Sequence, residues 1–279
     1  MSKTQNQTDY AKSSFSDVAQ HYDEIQFFKT SAQHICNLVI ANLDKPQANP
    51  KILDVACGTG NVSIALAKAL PKANILGLDL SQSMLDKAIE NARQFNLTNT
   101  HFKTADICEF TSTEKFDVIT LSYVLFFLPD APQVLNKLKT QLSTNGNIIF
   151  TSFQEQAFQP ASDILLNLLR QYKSNSALNY EEHSWTNLQH QPDIEKLCKL
   201  AHLNIQDLIQ KKIRYSLTID EWWILFNNTG YKGMLLELNQ TDYHTIRAQF
   251  FQLMRENSAY QNQTDSLELI ADSFFVTAD

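Results

Sequence analysis

Residues 51–61 read KILDVACGTGN, and the expected fold grows outward from this stretch. Ile52, Leu53 and Val55 make a short apolar run without helical spacing, which predicts a buried parallel strand ending in a glycine turn. Val62, Ile64, Ala65, Leu66, Ala69 and Leu70 then recur at helical spacing until Pro71 stops them. The order is strand, tight turn, helix. Gly58 and Gly60 can take backbone angles closed to other residues, and without side chains they let a ligand approach the main chain near a helix N-terminus. A second apolar segment, residues 73–78, ends in Asp79. That lies about 20 residues beyond the turn, where a ribose-binding carboxylate sits in nucleotide-binding sheets. Asp79 is therefore expected to hold ribose hydroxyls.

A dinucleotide fingerprint G-x-G-x-x-G would need its third glycine where this chain has Ser63. Asp54 instead brings a carboxylate to the end of the strand, where it repels a pyrophosphate and suits a ligand bearing a cation. S-adenosylmethionine carries an ammonium and a sulfonium and no phosphate.

At these residues the chain resembles the class I S-adenosylmethionine-dependent methyltransferases, of the type 11, ubiquinone-biosynthesis-like branch. DVACGTG (54–60) is similar to the family's glycine loop, LDLSQSML (78–85) to its ribose and adenine segment, and TADI (104–107) to its adenine-flanking turn. FDVITLSYVLFFLPD (116–130) looks like its fourth strand and following loop. FSDVAQHYDEI (15–25) resembles the N-terminal helix of this branch and of the malonyl-thioester methyltransferases. The likeness extends over residues 12–153, and Ala56 stands where many members have the loop's first glycine.

The resemblance implies a Rossmann-like α/β fold: a seven-stranded, mostly parallel sheet with an antiparallel last strand, helices on both faces, and helical cap insertions. It implies S-adenosyl-L-methionine as cofactor, held by Tyr22 on a covering helix, by Asp54, Ala56, Cys57, Gly58 and Gly60 of the loop, and by Asp79 and Leu80. Met84 is expected beneath the adenine, Asp106 at its amino group and Ile107 against its ring. Ser122 and Tyr123 emerge where the donor's methionine end and an acceptor would meet.

The remaining chain reads as one domain, residues 1–279. Cover helices occupy 1–45, with Phe15, Val18, Ala19 and Tyr22 on one face and Ala32, Ile35, Cys36, Val39, Ile40 and Leu43 on another helix. The cofactor-binding half spans 50–153. Ser81 is placed to cap the helix carrying Met84, Leu85, Ala88, Ile89 and Ala92. Asp130 and Pro132 open a helix bearing Val134, Leu135, Leu138 and Leu142, and Asn145-Gly146 reads as a turn into a fifth strand at 148–153. A substrate cap is expected from 154–190, with a helix at 164–172, and from 218–262. Last strands fall in 192–217, with the sixth at 205–214, and in 264–279, whose tail reads as one closing antiparallel strand beside the fifth. Trp222 and Trp223 are adjacent, so one of them is expected to face a cleft or an interface.

Composition narrows the function classes. The net charge of -7 argues against nucleic acid or an anionic membrane as partner, since both require clustered Lys and Arg. The opening MSKTQNQTDY has no apolar signal-peptide core, and the longest apolar run, 118–128, is too short to span a bilayer, so a cytoplasmic protein is expected. Cys36, Cys57, Cys108 and Cys198 are far apart, and no two histidines have metal-like spacing, so no metal is expected. The loop after the fourth strand has no N-P-P-Y, D-P-P-F or Pro-Cys, the motifs of enzymes that methylate nucleic-acid bases.

Methyl transfer from a sulfonium is an in-line displacement whose donor is already activated, so the protein mainly aligns the reactants and excludes water. A general base is required only where the acceptor must lose a proton. Tyr22, Tyr123, His183 and Tyr231 are the candidates for such a role. The expected function is methylation of a small, partly apolar or aromatic molecule at O, N or C. Malonyl-thioester carboxyl methylation, cofactor binding without catalysis, and nicotinamide-dependent oxidoreduction are the alternatives.

Overall fold

The computed structural model describes residues 18–43, 49–172, 187–257 and 266–279. Helix α1 (Gln26–Asn42) precedes strand β1 (Lys51–Val55), helix α2 (Asn61–Ala69), β2 (Asn74–Asp79), α3 (Gln82–Gln94), β3 (Thr100–Thr104) and β4 (Phe116–Ser122). Then come α4 (Ala131–Lys139), β5 (Leu142–Phe153), α5 (Ala161–Tyr172), α6 (Gln191–Leu200), β6 (Ile205–Lys211) and β7 (Arg214–Thr218). The chain ends with α7 (Ile219–Asn227), α8 (Lys232–Leu236), α9 (Gln240–Glu256), β8 (Ser266–Ile270) and β9 (Ser273–Ala278).

Seven strands form one sheet in the order β3-β2-β1-β4-β5-β9-β6, with β9 antiparallel to both its neighbours. The strands β1 to β5 pair in parallel, as the glycine-loop resemblance implies. Strand order reverses at β1 and β4, and a crevice opens beyond the carboxyl ends of the strands there. Helices flank the sheet: α1 packs on α2, β4 and β5, α3 on β2 and β3, and α4 on β5 and α6. Among the described residues no helix is long and apolar enough to cross a membrane.

Several expectations change. Residues 15–17 of the expected covering helix lie outside the described residues, and the following stretch is a turn leading to one 3-10 turn, Tyr22–Glu24, rather than an α-helix. Leu142 is the first residue of β5 and not part of α4. The Asn145-Gly146 pair lies inside that strand as an irregularity, because pairing with β4 slips between Phe116–Leu142 and Val118–Asn147 while Asn145 takes φ 65°. Helix α5 begins at Ala161, earlier than the apolar spacing from Ile164 suggested.

The expected sixth strand divides. Ile213 breaks it by donating its N–H to Asp272 Oδ1 (3.1 Å) and accepting the Ala271 N–H (2.8 Å), after which β7 leaves the main sheet to pair with β8. The closing tail is thus two strands, β8 in a small sheet and β9 between β5 and β6. Both tryptophans of α7 are buried, Trp222 at 0% and Trp223 at 6% exposure. They point to opposite sides, but each side is covered: Trp222 Nε1 donates to Leu267 O (3.4 Å), and Trp223 Nε1 donates to the Tyr243 hydroxyl (3.1 Å). The small sheet and α9 therefore sandwich this helix, and neither ring is left for a cleft.

Candidate functional site

The turn after β1 is built from left-handed backbone. Ala56 has φ 51°, Gly58 55° and Gly60 84°. Cys57 fastens the turn sideways by donating its N–H to Leu78 O (2.9 Å), and Gly60 donates to Cys57 O (2.9 Å) before starting α2. The two glycines serve different ends. A Cβ on Gly60 would lie 3.2 Å from Ala88 Cβ, so this residue lets α3 approach the loop. A Cβ on Gly58 would meet nothing within 4 Å, because Gly58 borders open space.

Across that space stands Asp79, at the end of β2. Its Oδ2 accepts the Gly58 N–H (2.8 Å) and its Oδ1 accepts the Ser81 N–H (2.9 Å). Each carboxylate oxygen has two lone pairs, so the carboxylate keeps acceptor capacity for ligand hydroxyls. Burial raises the Asp79 carboxyl above its ordinary value, with the Ser81, Gly58 and Leu80 amides opposing it. Ala105 donates to Asp79 O (2.9 Å), which brings the segment after β3 to the same crevice, and Asp106 Oδ1 accepts the Cys108 N–H (2.8 Å).

Of the residues expected at a cofactor, Tyr22, Ala56, Gly58, Asp79, Leu80, Met84, Asp106, Ile107 and Ser122 line this one cleft. Asp54, Cys57 and Gly60 do not. Asp54 is 1% exposed and lies opposite Thr120 in the sheet, so its side chain points into the layer between strand and helix. There its carboxylate accepts from Ser63 Oγ (2.6 Å) and Thr120 Oγ1 (2.8 Å). Ser63, where a dinucleotide loop would have glycine, is Asp54's partner. The Cys57 thiol is pushed well above its ordinary value, first by burial and then by Asp54 and Asp79, which leaves it inert as a nucleophile.

The N-terminal segment closes the cleft. Val18 and Ala19 bury against Met84, and Tyr22 packs beside them, stacked on Phe28 at 4.4 Å. Asp23 clasps this segment to the glycine loop: its carboxylate accepts from Thr59 Oγ1 (2.5 Å), Asn61 Nδ2 (3.1 Å) and Asn91 Nδ2 (2.6 Å). Sequence reading missed Asp23, since a carboxylate in a polar segment reads as solvated and its partners are 36 to 68 positions away.

A second cavity, of about 280 Å³, adjoins the first and shares Tyr22, Tyr123 and Phe127 with it. It lies under residues 155–166 and 229–231, parts of the expected cap. Phe27, Phe153 and Phe158 form a linked aromatic wall, with ring centroids 4.9 to 5.8 Å apart, and Phe28 and Tyr231 extend it. Phe126 lines this second cavity and not the cleft.

The candidate proton carriers fare differently. Tyr123, at φ 53°, stacks on Phe153 at 4.2 Å. Its hydroxyl is engaged by Ser31 Oγ (2.6 Å) and Ser273 Oγ (2.9 Å), and burial pushes the phenol up to about 12. It offers the site a ring and no base. The Tyr22 phenol is also raised, by burial and then by the charges of Asp79 and Asp23. Tyr231 is buried in the second cavity's wall. His183 lies outside the described residues. Among the described residues no group of three His, Cys, Asp or Glu is placed to hold a metal ion.

Comparison with known proteins places this geometry in a family. Residues 46–221, more than half of the chain, match the methyltransferase domain family. The chain is 35% identical over 138 residues to a demethylmenaquinone methyltransferase of Lactobacillus johnsonii, covering 48% of this chain and 57% of that one. It is 32% identical over 145 residues to a malonyl-[acyl-carrier protein] O-methyltransferase of Bacillus cereus, covering 52% and 53%. The chain thus spans just over half the length of these two curated relatives. A SAM-dependent methyltransferase from Geobacter sulfurreducens, solved in complex with S-adenosyl-L-homocysteine, shares the fold at a TM-score of 0.54 and 13% identity, over 89% of this chain and 90% of that one. The chain belongs to the methyltransferase domain family.

Proposed function

We propose that this protein is an S-adenosyl-L-methionine-dependent methyltransferase that acts on a small, partly apolar or aromatic molecule. The observation that carries this reading is Asp79, whose two oxygens are fixed by one backbone N–H each at the mouth of the glycine turn and keep acceptor capacity for a ribose diol. Gly58 keeps the main chain open to the ligand, while Leu80, Met84 and Ile107 supply an apolar slot for an adenine with Asp106 at its edge. Ala56 and Ser122 border the methionine end, and Tyr22 covers it. When bound, the cofactor supplies a methyl group activated by the sulfonium charge.

The second cavity is the acceptor site in this reading. It adjoins the cleft across Tyr22, Tyr123 and Phe127, so an acceptor held there lies beside the methyl donor. Its volume exceeds the roughly 150 Å³ that accommodates a single benzene ring, and its aromatic walls exclude water around the transferring group. Of the expected cap, 154–190 and 218–262, the described residues 154–172, 187–190 and 218–257 act as the cap within a single domain.

Calorimetry with S-adenosylmethionine and with NADH tests the cofactor assignment. Binding of the first and not the second is expected, and the reverse result would overturn the reading. Incubation with a metabolite extract, read by mass spectrometry for the gain of one methyl group, identifies the acceptor.

A further inference from the structure

The second cavity has a charge character that its aromatic wall conceals. Its charged lining residues, among those described, are Glu155 and Asp163; no Lys, Arg or His lines it. Glu155 has His190 Nδ1 at 3.9 Å, but both side chains are exposed there, at 66% and 53%, and His190 stands outside the lining. Asp163 is exposed as well; partial desolvation raises its carboxyl, opposed by the charge of Arg170, which does not line the cavity either.

Thr229 supplies a second, independent feature. It lines the cavity and is 6% exposed, and its side-chain oxygen has no hydrogen-bond partner among the described residues. A buried hydroxyl without a partner is costly and calls for one. Rotation about the Cα–Cβ bond exchanges hydroxyl and methyl at the wall, an ordinary rotamer change. A ligand polar atom then completes what the protein leaves open.

From these observations we infer that the cavity selects a methyl acceptor without negative charge: a neutral or cationic aromatic molecule whose polar group is hydrogen-bonded by Thr229. An anionic acceptor would lose its hydration among phenyl rings, meet two carboxylates and find no cation lining the cavity among the described residues. A cationic or neutral ring suffers none of these, and a cation gains from the carboxylates and the ring faces. The inference rests on the acceptor-site reading above.

The test uses the full chain saturated with S-adenosylhomocysteine and three probes that share a phenol ring: tyramine (cation), 4-methylphenol (neutral) and 4-hydroxyphenylacetate (anion). Titration calorimetry is expected to show the anion binding at least about tenfold more weakly than the other two. Glu155→Gln with Asp163→Asn should narrow that gap. Thr229→Val should weaken 4-methylphenol binding several-fold while leaving S-adenosylhomocysteine affinity unchanged and the thermal midpoint unchanged or raised, which a merely structural threonine would not do. Equal affinity for the three probes, preference for the anion, or binding by none of them overturns the inference, and an unaffected Thr229→Val overturns the role of Thr229. Failure of S-adenosylhomocysteine to bind would sink the cofactor assignment instead, and the order of the three probes would still decide this one.

Discussion

Asp54→Asn offers a quantitative check on how the glycine turn is built. Burial pushes the Asp54 carboxyl from 3.8 up to about 6, against the hydrogen bonds from Ser63 and Thr120. A folded-state value above the unfolded one means that the folded chain binds the proton more tightly. The stability associated with that proton is complete below the unfolded value of 3.8 and is lost as pH rises through about 6. The two values are about two units apart, and at 1.36 kcal/mol per unit the loss is about 3 kcal/mol. Asparagine has nearly the same shape and no titrating proton. Its Oδ1 still accepts from one hydroxyl, and the other hydroxyl can turn to accept from Nδ2. Urea unfolding of both chains at several pH values between about 4 and 7 should therefore show the native chain losing about 2 to 2.5 kcal/mol relative to the variant across that interval, most of the full difference. Asp79, raised in the same direction, is present in both chains and cancels to first order, since its charge is the last-ranked of the causes that raise Asp54. Parallel stability curves would refute the desolvated carboxylate and the reasoning built on it.

Three further outcomes are expected. Asp79→Ala should weaken S-adenosylmethionine binding by at least about 1.4 kcal/mol, a tenfold loss in calorimetry, with the circular dichroism spectrum kept; undiminished affinity would remove the ribose role. Asp23→Ala unfastens the N-terminal segment from Thr59, Asn61 and Asn91, so limited proteolysis should cut near residues 18–24 faster while the sheet stays intact, and an unchanged digestion rate would argue against the clasp. Gly77→Ala places a Cβ 2.6 Å from the Phe102 ring and 3.0 Å from Cys57 Sγ, and should lower stability by about 1 to 3 kcal/mol in denaturant titration.

The glycine stretch, the apolar runs of β1, β2 and β4 and the helical spacing between them were legible because they are local patterns with one period each. Gly58, Asp79, Asp106 and Ile107 were found for the same reason: each sits within a few residues of a strand end, and strand ends gather at the crevice of an open parallel sheet. Asp54 could not be read correctly from position alone. It too lies at a strand end, but alternation in the strand sends its side chain to the helix layer, where Ser63 and Thr120 take it up. The cap was legible as an insertion without its interior being legible. Phe27, the pair Phe153 and Phe158, and Tyr231 come from three distant segments, and no periodicity announces that their rings will meet.

What the sequence alone determined is therefore the sheet's parallel half and the residues that edge its crevice, since both follow from local pattern and from the geometry of strand ends. Only the tertiary structure decided that Asp23 would clasp the cover, that Tyr123 would present a ring and bury its hydroxyl, and that residues 205–218 would divide between two sheets. Each depends on which partner a polar group finds across long chain separations, and a buried polar group takes whichever partner packing brings within reach.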